Sequence, residues 1–523
     1  MRKVKHGIVE RAVSAMGTMG AALTVPVAAS LVSLLAGCSL APVYQAPVVN
    51  VPTQFKEQAP WGKAAPADRL SRGDWWALAH DAVLSGLEAQ VDKANPDLAA
   101  ALARYDESSA YLAQTQARQY PNVGLGASVT NNRQSDTRPL RSSTQPSEYG
   151  ADTLGVELDY DFDLWGKIRN EVVASKDLAQ ASADDMESVR LSLHARLADA
   201  YFSLRGDDAQ LRLLRDSEAA YSRALAIATH RFQGGIAPAE DMTRASTSLY
   251  TVRAQISDVE GQRALNEHAI ASLVGVPASN FSISPDPAPL NFDAIPVDVP
   301  STLLERRPDI AAAERRVAAS NAAIGIARAA FFPDLTISPI IGFQSTGASS
   351  WLTAPNLFWT IGPALTQTLF DAGAHEAKLT AARAKLDESA AIYRATVLHA
   401  FQQVEDNLAL LGKLRDEARS QDLAVSNARR TLELALDQYQ AGAVSYLDVF
   451  DAQTAALDTA RSAIDVRTRY LHASVGLVRA LGGGWSATPE AAQSPRPNDT
   501  RQGMTHDADV ATAGQTGMEV SQR

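Results

Sequence analysis

The second half of the chain repeats the first at an offset of about 207 to 212 residues, and a repeat this long dictates a duplicated architecture. Asn95-Pro96-Asp97-Leu98 returns as Arg307-Pro308-Asp309-Ile310, and Tyr120-Pro121 as Phe332-Pro333. Phe162-Asp163 before Gly166 returns as Phe370-Asp371 before Gly373. Arg231-Phe232-Gln233-Gly234-Gly235 is echoed by Gln438-Tyr439-Gln440-Ala441-Gly442, and Leu273-Val274-Gly275 by Ala480-Leu481-Gly482. Each unit reads helix, strand, loop, strand, very long helix, break, helix. Two such units form a pair of similar staves, unlike a solenoid of short repeats.

Residues 1–37 read as a signal peptide: Arg2, Lys3, Lys5 and Arg11 form the charged start, and an apolar stretch ends in Leu35-Ala36-Gly37-Cys38. Cys38 is the only cysteine, so no disulfide forms within one chain. The site resembles a bacterial lipobox, whose cysteine is acylated before cleavage leaves it as the first mature residue. A plain signal peptide with an incidental cysteine is the alternative. Ser39, where Asp would suggest retention at the inner membrane, favours the outer membrane. Several acyl chains on one cysteine anchor firmly where one would not.

The net charge of -11 argues against a nucleic-acid partner. After Cys38 no segment reads as a membrane helix; the longest uncharged stretch, 335–369, is punctuated by Pro339, Pro355, Pro363 and glycines. The membrane signal is instead one of strands. Leu154, Val156, Leu158, Tyr160 and Phe162 alternate with Gly155, Glu157, Asp159, Asp161 and Asp163, which puts an apolar face against an acidic one. Val123, Leu125, Ala127 and Val129 alternate with Gly124, Gly126, Ser128 and Thr130 in a weaker version. A second hairpin carries Leu335, Ile337, Ile341 and Phe343 outward and Trp359, Ile361, Leu365 and Leu369 back. A soluble sheet on a core would alternate similarly, but runs of about ten residues also suffice to cross a bilayer as tilted strands. Four strands cannot close a barrel, and an open edge in lipid leaves backbone groups unpaired, so closure requires several chains. Loops 133–151 and 344–356, rich in Ser, Thr, Gln and Pro, would face outside.

Segments 166–233 and 373–440 lack proline, and their only interior glycines are Gly206 and Gly412. Each predicts a helix of about 100 Å at about 1.5 Å per residue, which needs lateral packing along its length. Both end in a break. Gly234 and Gly235 suit a left-handed C-cap with Pro238 opening the next helix, and Ser445 with Asp448 suits a capping box. Just past the breaks lie Asp241, Asp448 and Asp451; Asp448 and Asp451, three apart, share a helix face. They are either acidic rings at an opening or helix N-terminal carboxylates favoured by the dipole. Nothing points to an enzyme: the nine histidines are scattered, and nucleophile-elbow, P-loop and complete dinucleotide motifs are missing. His194, His230 and His399 read as surface or packing residues. No metal site and no cofactor is expected.

In the order and spacing of these motifs, the chain resembles an outer-membrane factor of the TolC-like family, in its lipidated drug-efflux branch (the NodT-type outer-membrane efflux lipoproteins). The resemblance runs from Cys38 to Trp485 and is most specific from Arg306-Arg307-Pro308-Asp309-Ile310 through Ala329-Ala330-Phe331-Phe332-Pro333. Gly73-Asp74-Trp75-Trp76, Asp161-Phe162-Asp163-Leu164-Trp165-Gly166 and Ala480-Leu481-Gly482-Gly483-Gly484-Trp485 support it. It implies a mixed α and β membrane protein: a homotrimer with a twelve-stranded outer-membrane β-barrel, four strands per chain, running into a periplasmic helical tunnel. It also implies a passive gated duct for drugs or other small toxic compounds, working with a periplasmic adaptor and an inner-membrane pump.

The expected division is a signal peptide at 1–37, a lipid-anchored equatorial segment at 38–80, a first repeat at 81–276 and a linker at 277–300. A second repeat at 301–484 and a largely disordered polar tail at 485–523 complete it. β-Hairpins are expected at 121–163 and 333–370, and helical hairpins at 166–275 and 373–482. The family's aperture carboxylates fall on Asp241, Asp448 and Asp451 and its apolar constriction on Leu447. Val444 stands where the best-known member has a latch arginine. The adaptor-contacting tips would be Arg231, Gly234, Gly235, Tyr439, Gly442 and Ala443, and the acidic lumen of the barrel Glu157, Asp159 and Asp161. A duct for secreted polypeptides would share the fold; a non-conducting lipoprotein tether would not need paired amphipathic hairpins.

Overall fold

The computed structural model describes residues 39–57, 74–139, 142, 144–293, 295, 306–347 and 351–483. The signal peptide, Cys38 and the polar tail fall outside these residues. Among the described residues, both halves run helix, strand, strand, long helix, helix. In the first half, α1 (Ala82–Ala94) and α2 (Pro96–Ala117) lead into strands β1 (Asn122–Arg133) and β2 (Glu148–Phe162). Helices α3 (Lys167–Gln233) and α4 (Ala239–Leu273) follow. The second half repeats this with α5 (Pro308–Ala329), β3 (Asp334–Ile337), β4 (Ile340–Ser345), β5 (Leu357–Thr360), β6 (Pro363–Thr366), α6 (Ala374–Gln440) and α7 (Tyr446–Ala480).

The matching helices are equal in length: α3 and α6 have 67 residues each, and α4 and α7 have 35 each. Glycines in the left-handed region start both long helices, Gly166 at φ 74° and Gly373 at φ 89°, a conformation open to glycine without steric cost. An acidic residue precedes each. The Asp163 carboxylate accepts from the Ile168 and Arg169 amides, and that of Asp371 from the Gly373 and His375 amides. Asp163 therefore caps α3 and does not continue the acidic strand face, as the alternation alone would have it.

Six short strands amount to four continuous ones. The β3 and β4 partners along β2 keep one register across the gap at Ser338-Pro339: Tyr160 pairs with Ile337 and Glu157 with Ile340. The same holds for β6 and β5, where Ile337 pairs with Pro363 and Ile340 with Thr360. Pro339 and Pro363 have no N–H, so they interrupt the ladder without shifting it. All neighbours are antiparallel. β2 also extends further than its apolar alternation indicates, with Arg133 opposite Glu148, so the first connecting loop shortens to 134–147.

Each long helix folds back on its partner, α3 on α4 and α6 on α7, and α3 also packs against α7. Helix α5 lies against both α3 and α6, whereas α2, its counterpart in the first half, packs along α3. An apolar cluster near the first half's belt joins Trp75, Trp76, Leu84, Leu193, Leu197 and Val475. The second half's cluster joins Phe55, Ile310, Val397, Leu408 and Leu477. Residues 39–57 form a strap over the second half. Asn321 donates to the Pro42 carbonyl and Tyr44 to Glu314; Glu405 accepts from the Lys56 and Glu57 amides. The strap starts where helices meet strands, with Ser39 donating to Asn170 near the start of α3 and Arg328 near the end of α5 donating to the Leu40 carbonyl.

Candidate functional site

The sheet and the helix breaks carry the features with no role in packing this chain's own core. Across the sheet, Leu125 faces Val156, Val156 faces Ile341 and Ile341 faces Trp359, an unbroken apolar row. Directly paired residues share a face. That row is open to the surroundings, at 75%, 42%, 54% and 67% exposed respectively. Above and below it on the same face lie Val123 with Leu158, and Ala127 with Leu154 and Phe343. Glu157, Asp159 and Asp161 stand on the opposite face, all exposed. An apolar face without a covering layer and an acidic face behind it invert the usual order of a soluble sheet. Within the chain, β1 and the β5–β6 strand remain edges with no further partner strand among the described residues.

At the base of the sheet, Trp165 stacks on Phe332 at 4.6 Å and donates its indole N–H to the Pro333 carbonyl. The exposed rings of Tyr120 and Phe370 lie at the same strand–helix passage. Aromatic girdles of this kind mark the water–lipid boundary of a barrel. No helix among the described residues is long and apolar enough to cross a membrane.

At the other end, both long helices stop in the same way. The Ile236 amide donates to the Arg231 carbonyl and the Gly235 amide to Phe232; the Ala443 amide donates to Gln438 and the Gly442 amide to Tyr439. These are two Schellman caps, with Gly235 at φ 69° and Gly442 at φ 77°. Pro238 is the N-cap of α4, one position before the first helical residue. Ser445 and Asp448 form the expected capping box, the Asp448 Oδ2 accepting from both the Ser445 amide and hydroxyl.

The tip carboxylates differ in setting. Tyr446, Val449 and Gln453 turn inward, so Leu447, Asp448 and Asp451 lie on the face of α7 away from this chain's packing. Asp241 is half-buried, and that burial, with Glu240 beside it, raises its carboxyl above the usual range. The structure thus places Leu447, Asp448 and Asp451 on one exposed face, whereas Asp241 is partly buried.

Sequence reasoning missed the tie between the tips. Arg231, at the end of α3, donates to the Tyr439 carbonyl at the end of α6 at 2.8 Å and lies over the Tyr439 ring at 4.6 Å. Tyr439 meets Tyr446 edge-on at 5.5 Å. Ala224, Ala228, Ala245 and Val449 pack around them. The only signal available was an arginine and a tyrosine at nearly equivalent places in the two break motifs. His230 and His399 are exposed, and His194 is a buried packing residue whose Nδ1 meets the Glu88 carboxyl. Among the described residues no group of three His, Cys, Asp or Glu is placed to hold a metal.

The chain matches the family described as "Outer membrane efflux protein" over residues 89–276 and 299–483. It is 32% identical over 463 residues to the outer membrane protein OprJ of Pseudomonas aeruginosa, covering 88% of this chain and 96% of that one. It is 31% identical over 462 residues to the probable outer membrane lipoprotein SilC of Salmonella typhimurium, covering 87% and 98%. Among solved structures, the outer-membrane channel OprN superposes with a TM-score of 0.79 at 27% identity, covering 86% of this chain and all of that one.

Proposed function

The chain belongs to the outer membrane efflux protein family, and on that premise we propose how its two ends work as the mouths of a gated duct. It is an outer-membrane channel of a tripartite efflux system, a passive conduit that carries out no covalent chemistry. The observation that carries the assignment is the uncovered apolar row of the sheet, backed by carboxylates and continuous with 67-residue helices.

Three copies supply twelve strands and pair every edge, which a bilayer demands because an unpaired backbone group in lipid costs several kcal/mol. The duplication says where the neighbours meet. Since α5 sits between α3 and α6, α2 fits between α3 and the α6 of the next copy, and Leu102 and Tyr111 are exposed on it for that contact. The same edge logic seats β1 beside the β5–β6 strand of the adjacent copy. Acylated Cys38 would enter the membrane beside the strap, whose first residues already lie at the strand–helix passage.

At the far end, the gate is assigned to Asp241, Leu447, Asp448 and Asp451: apolar side chains narrow the mouth and carboxylate rings set its field. The outer surfaces of the tips, at Arg231, Gly234, Gly235, Gly442 and Ala443, are the docking sites for the periplasmic adaptor; Tyr439, expected among them, is buried in the tip's apolar cluster and supports that surface from within. Docking favours the separated arrangement of the hairpins and thereby the open state. The cargo is small toxic compounds delivered by the inner-membrane pump. Glu157, Asp159 and Asp161 line the barrel and add to a cation-favouring field.

With Val444 in place of a latch arginine, the Arg231–Tyr439 contact is the tie that holds the two hairpins closed. A cation–π contact and one hydrogen bond contribute about 1–2 kcal/mol together. Arg231→Ala should therefore raise open probability about tenfold in single-channel recordings; an unchanged probability removes Arg231 from the gate. The reading as a whole is tested by recording from detergent-purified, reconstituted protein. Small cation-selective currents are expected, and protein that is folded and inserted yet silent would overturn the conduit.

A further inference from the structure

One buried ionisable pair lies far from both mouths and has no part in conduction. Glu88, on α1, is 0% exposed within the first half's apolar cluster. Its Oε2 is 2.6 Å from His194 Nδ1 on α3, and its Oε1 has no hydrogen-bond partner among the described residues. Trp76 stacks on the imidazole at 4.7 Å and closes the pair from above. The other ring nitrogen lies 3.3 Å from Asp92, which Arg190 holds at 2.8 Å while also reaching Glu187. Farther along α3, Arg205 and Tyr201 both donate to Asp81, and Arg205 also pairs with Asp286. The apolar cluster of this half also takes in Leu471, Val475 and Val478 from α7 and Ile270 and Val274 at the end of α4.

The fold does not need this pair. Helices α3 and α6 correspond at an offset of 207 at both ends (374 − 167 and 440 − 233). The residue matching His194 is therefore Phe401, which packs into the second half's cluster as an ordinary hydrophobe. A buried pair is seldom more stable than apolar residues of similar volume, so its presence in one half alone asks for another reason.

We propose that Glu88 and His194 form a pH-sensitive clasp, holding residues 75–94 against α3 in acid media and loosening as the medium is brought to neutrality and above. With one proton shared between them the pair is neutral. Removing that proton leaves a buried carboxylate with an imidazole N–H as its one donor and a bare second oxygen, which the apolar surroundings penalise. Burial pushes the Glu88 carboxyl up to about 7 from its ordinary 4.5, against the pull of His194. A carboxyl held above its ordinary value contributes stability that is complete below 4.5 and lost as pH rises through about 7, which is the direction required.

Hydrogen exchange of the full-length protein in detergent, read on peptides covering 75–94 and corrected for intrinsic rates, tests the clasp without reference to conduction. Between pH 6 and 8.5, protection of this stretch should fall about tenfold and then level off, because each pH unit between the ordinary carboxyl value of 4.5 and the folded value of about 7 weakens the closed form by a factor of about ten, and no further loss occurs above it. Peptides from α6 should hold steady. Glu88→Gln, and the Glu88→Leu/His194→Phe variant that replaces the pair by apolar residues, should abolish the slope. A flat wild-type profile, or a slope that persists in either folded variant, would overturn the proposal.

Discussion

Ile341→Arg should leave almost no assembled protein in the outer membrane, while Thr360→Arg, on the neighbouring strand, should leave normal amounts. Ile341 sits in the middle of the apolar row, paired with Val156 on one side and Trp359 on the other. Thr360 pairs with Ile340, whose other neighbour is Glu157, and so belongs to the acidic face. An arginine at the bilayer midplane costs about 2–4 kcal/mol per chain, and a three-chain barrel carries it three times, a total of about 6–12 kcal/mol. That is comparable with the whole stability of a typical folded domain, about 5–15 kcal/mol. The Thr360 substitution instead places its guanidinium in water beside carboxylates. Counting heat-stable trimer in outer-membrane fractions separates the outcomes. Equal, near-wild-type yields for both variants would mean that the two faces meet the same solvent, as in a soluble sheet.

The frame of the fold was legible because the backbone writes it into local sequence. A run of 67 residues without proline, opened by a glycine in the left-handed region and closed by another one residue past the C-cap, permits little besides a long helix. The period-two run of β2 was equally direct from Leu154 onward. Before that residue, Glu148-Tyr149-Gly150 carries no alternation, and β2 extends there only because β1 offers partners. Nor does local pattern reveal that Asp163 leaves the strand face to cap α3, since it keeps the correct parity. The contacts that tie distant segments were invisible for the same reason. Arg231 reaches Tyr439 across 208 positions and His194 reaches Glu88 across 106, and nothing in one sequence marks such pairs. The exposed face of Leu447, Asp448 and Asp451 follows from helical spacing alone, whereas the withdrawal of Asp241 depends on the packing around it.

Asp448→Ala/Asp451→Ala should reduce cation over anion permeability about tenfold and enlarge the small resting current. On the proposed gate, three copies would bring six carboxylates to the narrow mouth, where low-dielectric walls focus their field. A tenfold change in selectivity corresponds to about 1.4 kcal/mol in the relative energies of the two ions, well within the reach of charges a few ångströms from the path. The competing account is that Asp448 serves only α7, since its Oδ2 is already committed to the Ser445 amide and hydroxyl. Ser445→Ala decides between them, because it removes half of the capping box and keeps every carboxylate. Losing such a cap costs about 0.5–2 kcal/mol of helix stability. If the carboxylates act through their charge, Ser445→Ala keeps the wild-type selectivity and only the double variant changes it. If Asp448 matters through the cap, Ser445→Ala reproduces the enlarged current while selectivity in both variants stays near that of the wild type. High salt supplies the second axis: a ring effect shrinks as the Debye length falls to about 3 Å at 1 M, and a capping effect persists.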